Sequence, residues 1–343
     1  MNGRAVERSP ALVRAPFALV FAGLLVAAAG AVALSLAVGH GDLSDPGLRD
    51  VFLRLRAQRS CGAFLAGSAL AVAGVLVQGL FRNPLASPSV IGTSAGASLG
   101  GRLALLATQG LLLAGVAPWL PAEVLLPAGC ILGALGALAL LFVVAEVKDD
   151  LVVLLLTGFL LSALFISLEG FVTSLAQERW ELSRAVLSFA LGDVSGVGPR
   201  QLALAVPLVT LGCAFAWTWS VPLDLMLTGE EEAKTLGAEV DVIRRWVVVW
   251  TAILTAAAVS IGGNVGFVGP VVPHALRPIV GLGHRRLIPA AALGGGIFVV
   301  CCDVLCRVLP GRSEVPLGVI TGLVGAPTFL WLLLQHRRES YSF

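Results

Sequence analysis

The sequence predicts an all-α integral membrane protein: one domain, residues 1–343, in which about ten transmembrane helices form a bundle. Three observations carry this. Of 343 residues, 57% are hydrophobic and 13% charged, against about 25% charged in soluble domains. Apolar runs near the 20 residues needed to cross a bilayer recur along the whole chain. Forty glycines punctuate those runs, several at the four-residue spacing that lets membrane helices approach closely. Backbone in lipid must satisfy its polar groups within the segment, which selects helices for these runs.

Residues 1–16 are polar, carry Arg4, Arg8 and Arg14, and read as a cytoplasmic N-terminal segment. The first span, 17–38, is too long for a signal-peptide core and lacks a cleavage pattern, so it reads as retained. Further spans are expected at 60–80, 91–113, 124–145, 151–172, 202–220, 246–263, 266–281, 288–308 and 316–335. The eighth is interrupted by Pro270, Pro273 and Pro278. Candidate packing faces are Gly92, Gly96 and Gly100, then Gly129 and Gly133, then Gly318 and Gly322.

Basic residues in short loops set orientation. With both termini cytoplasmic, the inner side receives Arg4, Arg8, Arg14, Arg82, Lys148, Lys234, Arg244, Arg245, Arg285, Arg286, Arg337 and Arg338. The outer side receives Arg49, Arg54, Arg56, Arg59, Arg179, Arg184, Arg200 and Arg312, with Arg307 near that edge. The bias favours cytoplasmic ends and leaves the outer arginines to be explained.

Composition excludes several function classes. Net charge is +2 and no Lys/Arg run is interleaved with aromatics, which argues against nucleic acid. The six cysteines lie in apolar segments without the spacing of a metal or redox pair, so no metal and no cofactor are expected in this chain. No GxxxxGK[ST] occurs, so ATP is not held by a P-loop here. GTSAG (Gly92–Gly96) matches a nucleophile elbow, but Ser94 opens a membrane helix and the histidines are scattered. No catalytic residue is assigned.

Ionisable residues inside spans are costly and usually functional. Arg102, Glu169, Asp303 and Arg307 are the candidates, and Asp303 and Arg307 stand at i and i+4, where they can pair. No Asp/Glu/His chain crosses the bundle, so the driving force is expected to lie outside this subunit. The longest internal polar stretch is LTGEEEAKTLGAEVD (227–241). Gly229 precedes three glutamates that suit a helix N-terminus, and Gly237 ends that helix.

These stretches, taken together from about residue 50 to 335, resemble the permease subunits of bacterial ABC importers for iron-siderophores, haem and cobalamin. The segments that carry the likeness are LAGSALAVAGVLVQGLFRNPLASPSVIGTSAGA (65–97), TGEEEAKTLG (228–237), GNVGFVGPVVPHALRPIVGLGHRRLIPAAALGG (263–295) and CDVLCRVLPGRSEVPLGVITGLVGAPTFLWLLL (302–334). The resemblance implies a subunit of ten helices in the bacterial inner membrane, dimerising around a translocation path. Two ATP-binding subunits would dock on the cytoplasmic side, and one substrate-binding protein outside.

It further implies a cytoplasmic coupling segment, 222–245, in which Gly229, Glu230, Glu231, Glu232, Ala233, Leu236 and Gly237 meet the ATPases. Asn83, Pro84 and Leu85 would form a cytoplasmic gate. Arg56, Arg59 and Arg307 would dock the binding protein, and Thr157, Ser162 and Ser167 would line the path. The sequence departs from the family pattern at Arg56-Ala57-Gln58-Arg59, where Arg-x-Pro-Arg is usual. It departs again at Pro270, and at Gly283, where an Asp usually precedes His-Arg. The alternatives are a secondary transporter or channel without an ATPase, and an intramembrane hydrolase using Ser94. Among substrates, iron-siderophore, haem, cobalamin and a small oxyanion stay open.

Overall fold

The computed structural model describes residues 16–39, 47–113, 115, 121–144, 151–309 and 314–340, and none of these is in a strand. The elements, in chain order, are α1 (Phe17–Ala37), α2 (Arg49–Leu80), a 3-10 turn (Pro88–Ile91), α3 (Thr93–Leu113), α4 (Ala122–Val144), α5 (Leu151–Ala176), α6 (Trp180–Leu191) and α7 (Pro199–Thr218). Then follow α8 (Ser220–Met226), α9 (Glu230–Thr235), α10 (Val240–Gly262), α11 (Val268–Val280), α12 (His284–Val308) and α13 (Leu317–Ser340). Arg4, Arg8, Arg14, Lys148 and Arg312 of the orientation argument fall outside the described residues.

Among the described residues, seven helices are long and apolar enough to cross a membrane: α1, α2, α4, α5, α7, α10 and α12. The other three expected spans are helical too, with lower apolar content or shorter length. The expected span 266–281 is cut back to α11, whose 13 residues reach about 20 Å, less than a hydrocarbon core of about 30 Å. The chain enters α11 through Phe267 in a left-handed conformation (φ 65°). The second span is longer than expected. It starts at Arg49 rather than residue 60, and its 32 residues extend about 48 Å, longer than a hydrocarbon core of about 30 Å.

α2 is the axis of the fold, packed by α12, α10, α11 and α7. Its buried residues from Ala63 to Gly79 are largely Ala, Gly, Ser and Val. Small side chains bring backbones together: a Cβ at Gly67 would collide with the Gly295 carbonyl of α12, and the reverse holds. In membranes such close contact supplies the packing attraction that the hydrophobic effect cannot.

α3 and α4 meet in the same way, through Gly96 and Gly100 against Gly129 and Gly133. Gly92 does not join this face. It closes the 3-10 turn at φ 85°, beside the Gly158 carbonyl of α5. Gly318 packs against the Leu191 and Asn264 carbonyls, whereas Gly322 faces open space. α6 lies where a loop was expected between the fifth and sixth spans. Its amphipathic 12 residues bury Leu182, Val186 and Phe189, and Phe189 lies against Gly101.

Candidate functional site

Two polar clusters sit at opposite ends of the bundle, joined by the antiparallel pair α2 and α12. The first is built on the turn after α2 and on the segment α8–α9.

α2 ends at Leu80, and Arg82 follows in a left-handed conformation (φ 50°). Asn83 then builds the turn: its Oδ1 accepts the Leu85 N–H at 2.9 Å, and its carbonyl accepts the Ala86 N–H at 3.1 Å. Residues 82–85 are exposed. The Ser162 hydroxyl of α5 donates to the Ser89 carbonyl at 3.0 Å, fastening the 3-10 turn to α5. Asn83, Pro84 and Leu85 are thus one exposed turn, held at one side by α2 and at the other by α5.

α9 begins at Gly229 with φ 122°, a conformation that side chains disfavour, and the Glu232 carboxylate folds back over that glycine. Arg82 Nη1 lies close by, so the turn after α2 and the start of α9 are neighbours. Ala233 is fully buried, Leu236 is 62% exposed, and Gly237 ends the helix at φ 85°. Glu230 pairs with the buried Arg244 of α10 at 2.8 Å, while Glu231 and Lys234 form an exposed pair at 3.0 Å. The segment therefore presents Glu231, Glu232, Lys234 and Leu236 outward, and is anchored through Ala233 and Glu230.

Asp224 of α8 accepts the His284 backbone N–H at 3.0 Å and meets His284 Nδ1 at 2.6 Å. Partial burial pushes the Asp224 carboxyl up, but the hydrogen bonds from the His284 ring and backbone outweigh it and hold the group below its ordinary range. Sequence reading missed this pair. The only signal was Gly283, which leaves the start of α12 without a capping side chain of its own.

The second cluster lies at the other end. Asp303 pairs with Arg307 on α12 at 2.9 Å, as their spacing predicts, and also accepts from Arg59 Nε of α2 at 2.8 Å. Arg59 reaches Glu314 with two further bonds of 3.1 and 2.7 Å. Arg307 Nη1 donates to the carbonyls of Ser35 and Val38 at 2.9 and 2.6 Å. Arg56 donates to those of Leu36, Ala37 and Gly39 at 2.9, 3.2 and 2.9 Å. These are the orphan carbonyls at the end of α1, where a cation is also favoured by the helix dipole.

Arg56 and Arg307, expected to meet a partner, here hold the end of α1. Both are over nine-tenths buried, with their guanidinium groups spent inside the subunit. Among the described residues, the exposed arginines at this end are Arg49, Arg54, Arg179, Arg184 and Arg200. A cavity of about 440 Å³, lined by Arg59, Arg184, Asp193, Asp303 and Glu314, opens beside them.

The remaining candidates do not converge. Thr157 is buried, Ser162 half-buried and bonded to the Ser89 and Gly158 carbonyls, and Ser167 exposed and bonded to the Ala163 carbonyl. Arg102 and Glu169, distant in sequence, form a buried pair at 2.9 Å between α3 and α5. Among the described residues no hydrogen bond joins Ser94 to a histidine. His284 is held by Asp224, and the His274 ring packs edge-on against Phe329. No group of three or more His, Cys, Asp or Glu able to hold a metal occurs among the described residues.

A helical bundle with an exposed polar segment at one end and arginine-rich residues at the other is compatible with a transport subunit. Comparison with known proteins decides the family. The FecCD transport family matches residues 17–335. The chain belongs to that family. Its relatives in the FecCD family include the Fe(3+) dicitrate transport system permease protein FecD of Escherichia coli, 37% identical over 84% of this chain and 86% of that protein. The hemin transport system permease protein HmuU of Yersinia pestis is 34% identical over 99% of both chains. A solved structure described as an inward-facing conformation of a putative metal-chelate type ABC transporter superposes with a TM-score of 0.81. It is 29% identical and covers 93% of this chain and 99% of its own.

Proposed function

We propose that this FecCD-family chain is the permease subunit of an ATP-driven importer that carries an iron-siderophore, haem or cobalamin across the bacterial inner membrane. It makes no covalent change to its cargo. Two copies enclose the path, two ATPase subunits sit beneath α9, and a substrate-binding protein delivers cargo at the opposite end. The FecD and HmuU likeness over most of the chain carries this reading.

The local geometry supports the roles. α9 is a short polar helix anchored to the bundle through Ala233 and Glu230, with Leu236 exposed just after it. An exposed apolar residue flanked by charges is what a soluble partner's groove would take up. The turn Asn83–Leu85 lies between Arg82, which neighbours Gly229, and Ser89, which is bonded to Ser162 of α5, so movement of α9 would be felt where the path would narrow. Alternating access then follows as rigid-body rocking of the helices. At the far end, Arg54 and Arg184 are the exposed cations that would meet carboxylates of a binding protein and steer its approach.

Deleting residues 229–237 tests this reading. The intact chain is expected to co-purify with its ATPase, and the deletion is expected to lose it while the bundle still folds. Undiminished co-purification would remove α9 as the docking element.

A further inference from the structure

One contact ties the α8–α9 segment to α12, the helix that reaches the other polar cluster. α12 starts at His284, and Gly283 before it has no side chain to cap the helix, although its backbone (φ −64°, ψ 126°) suits a cap residue. The cap comes from another helix. A single Asp224 oxygen accepts both the backbone N–H of His284 at 3.0 Å and the ring Nδ1 at 2.6 Å. A carboxylate only accepts, so Nδ1 carries the proton.

His284 is enclosed, and Asp224, whose carboxylate is partly exposed, is fixed through its backbone. Leu223 and Met226, on either side of Asp224, are fully buried. From Asp224 the backbone runs to α9 through consecutive turn bonds, Leu227 to Asp224, Thr228 to Leu225 and Gly229 to Met226. The His284 ring is 1% exposed and lies against Gly79 of α2, where even a methyl group would meet Nε2 at 2.6 Å. Gly79 in turn stands four residues before Asn83. From His284, α12 runs about 29 Å to Asp303 and about 35 Å to Arg307. There it holds Arg59 of α2 and the last carbonyls of α1.

We propose that the Asp224–His284 contact is the strut that passes movement of the α8–α9 segment into α12, and through it to the opposite end of the molecule. Asp224 is thereby a positioning residue for transport. This rests on the permease reading and adds to it a named route from the ATPase-facing segment. Coupling between distant sites can be carried by packed, hydrogen-bonded secondary elements whose arrangement both ends bias. α8 bonded to α12 is such an element. A rival with the same contact is that Asp224 merely caps α12.

The two are separated by hydrogen exchange on the complex of this chain with its co-purified ATPase in nanodiscs, with and without Mg-ATP plus orthovanadate. In the wild type, trapping should change exchange both in residues 229–237 and at the far end, in 49–59 and 302–309. Asp224→Ala should keep the first change and lose at least two-thirds of the second. Adding Gly283→Asp to Asp224→Ala supplies a cap within α12. It should restore amide protection at 285–288 but not the far-end response.

A far-end response that survives Asp224→Ala, or that Gly283→Asp restores, would overturn the strut and leave Asp224 as a cap. If Asp224→Ala does not assemble, His284→Gln keeps the backbone cap and breaks the ring contact. It should lose the far-end response as well, and an unchanged response would overturn the proposal. A wild type that retains no ATPase and shows no ATP response would instead overturn the permease reading itself.

Discussion

Asp303 is fully buried between two arginines, and each of those arginines has a second obligation: Arg59 to Glu314, and Arg307 to the end of α1. Removing the carboxylate leaves Arg59 with Glu314 alone and leaves the buried Arg307 without an anionic partner. Breaking a buried pair in this way typically costs about 3–5 kcal/mol. Asp303→Leu is therefore expected to lower the thermal unfolding midpoint of the detergent-solubilised subunit, with no binding protein present. A midpoint equal to wild type would show that the cluster is not structural. The i, i+4 pairing of Asp303 and Arg307 was legible in the sequence because both lie on one helix. Arg59 as their third member was not, because a chain separation of 244 residues carries no periodic signal. The same limit hid the capping of α1 by Arg56. An outer arginine looks solvated until the carbonyls that claim it are seen. Docking by exposed arginines is tested separately: Arg54→Glu with Arg184→Glu should weaken binding-protein association at low ionic strength and less at high salt. Equal affinity in both would count against these two residues.

At the scale of elements, glycine spacing was informative where it lay within helices and misleading at a helix end. Gly96, Gly100, Gly129 and Gly133 do form the α3–α4 contact, whereas Gly92 closes the turn before it. Gly133→Leu should disrupt that contact, and overpacking of this kind costs about 1–3 kcal/mol. Gly136→Leu, three residues on and facing open space, is the control. It should leave the unfolding midpoint unchanged, and equal losses in the two would contradict the close approach. α11 was misjudged because hydropathy measures apolarity and not length. Its three prolines and the left-handed Phe267 shorten the helix within an apolar run. α6 escaped notice because its 12 residues, with Glu181 and Arg184 among them, are too short to register as a span. α9 was legible from Gly229, three glutamates and Gly237. Reversing charge with Glu231→Lys and Glu232→Lys is expected to weaken ATPase co-purification several-fold, because both face outward. Retention at wild-type level would mean that these charges do not contact the partner.

Over the whole molecule, composition alone was enough for an all-helical membrane protein, and the order of several motifs was enough for its family. Transport follows from what the bundle holds and omits. Within the described part of the spans, the buried charges Arg102, Glu169, Asp303 and Arg307 are paired with one another or with backbone. Charges committed to fixed partners are poorly suited to picking up and releasing a coupling ion. The energy is therefore expected to enter through α9 from an ATPase. Uptake into proteoliposomes holding this chain, its ATPase and its binding protein tests that claim most directly, with ferric dicitrate, haemin and cyanocobalamin offered in turn. The account predicts accumulation of one of the three only when ATP is supplied on the ATPase side, insensitive to collapse of proton and sodium gradients. Accumulation driven by an ion gradient, from liposomes lacking the ATPase, would contradict it.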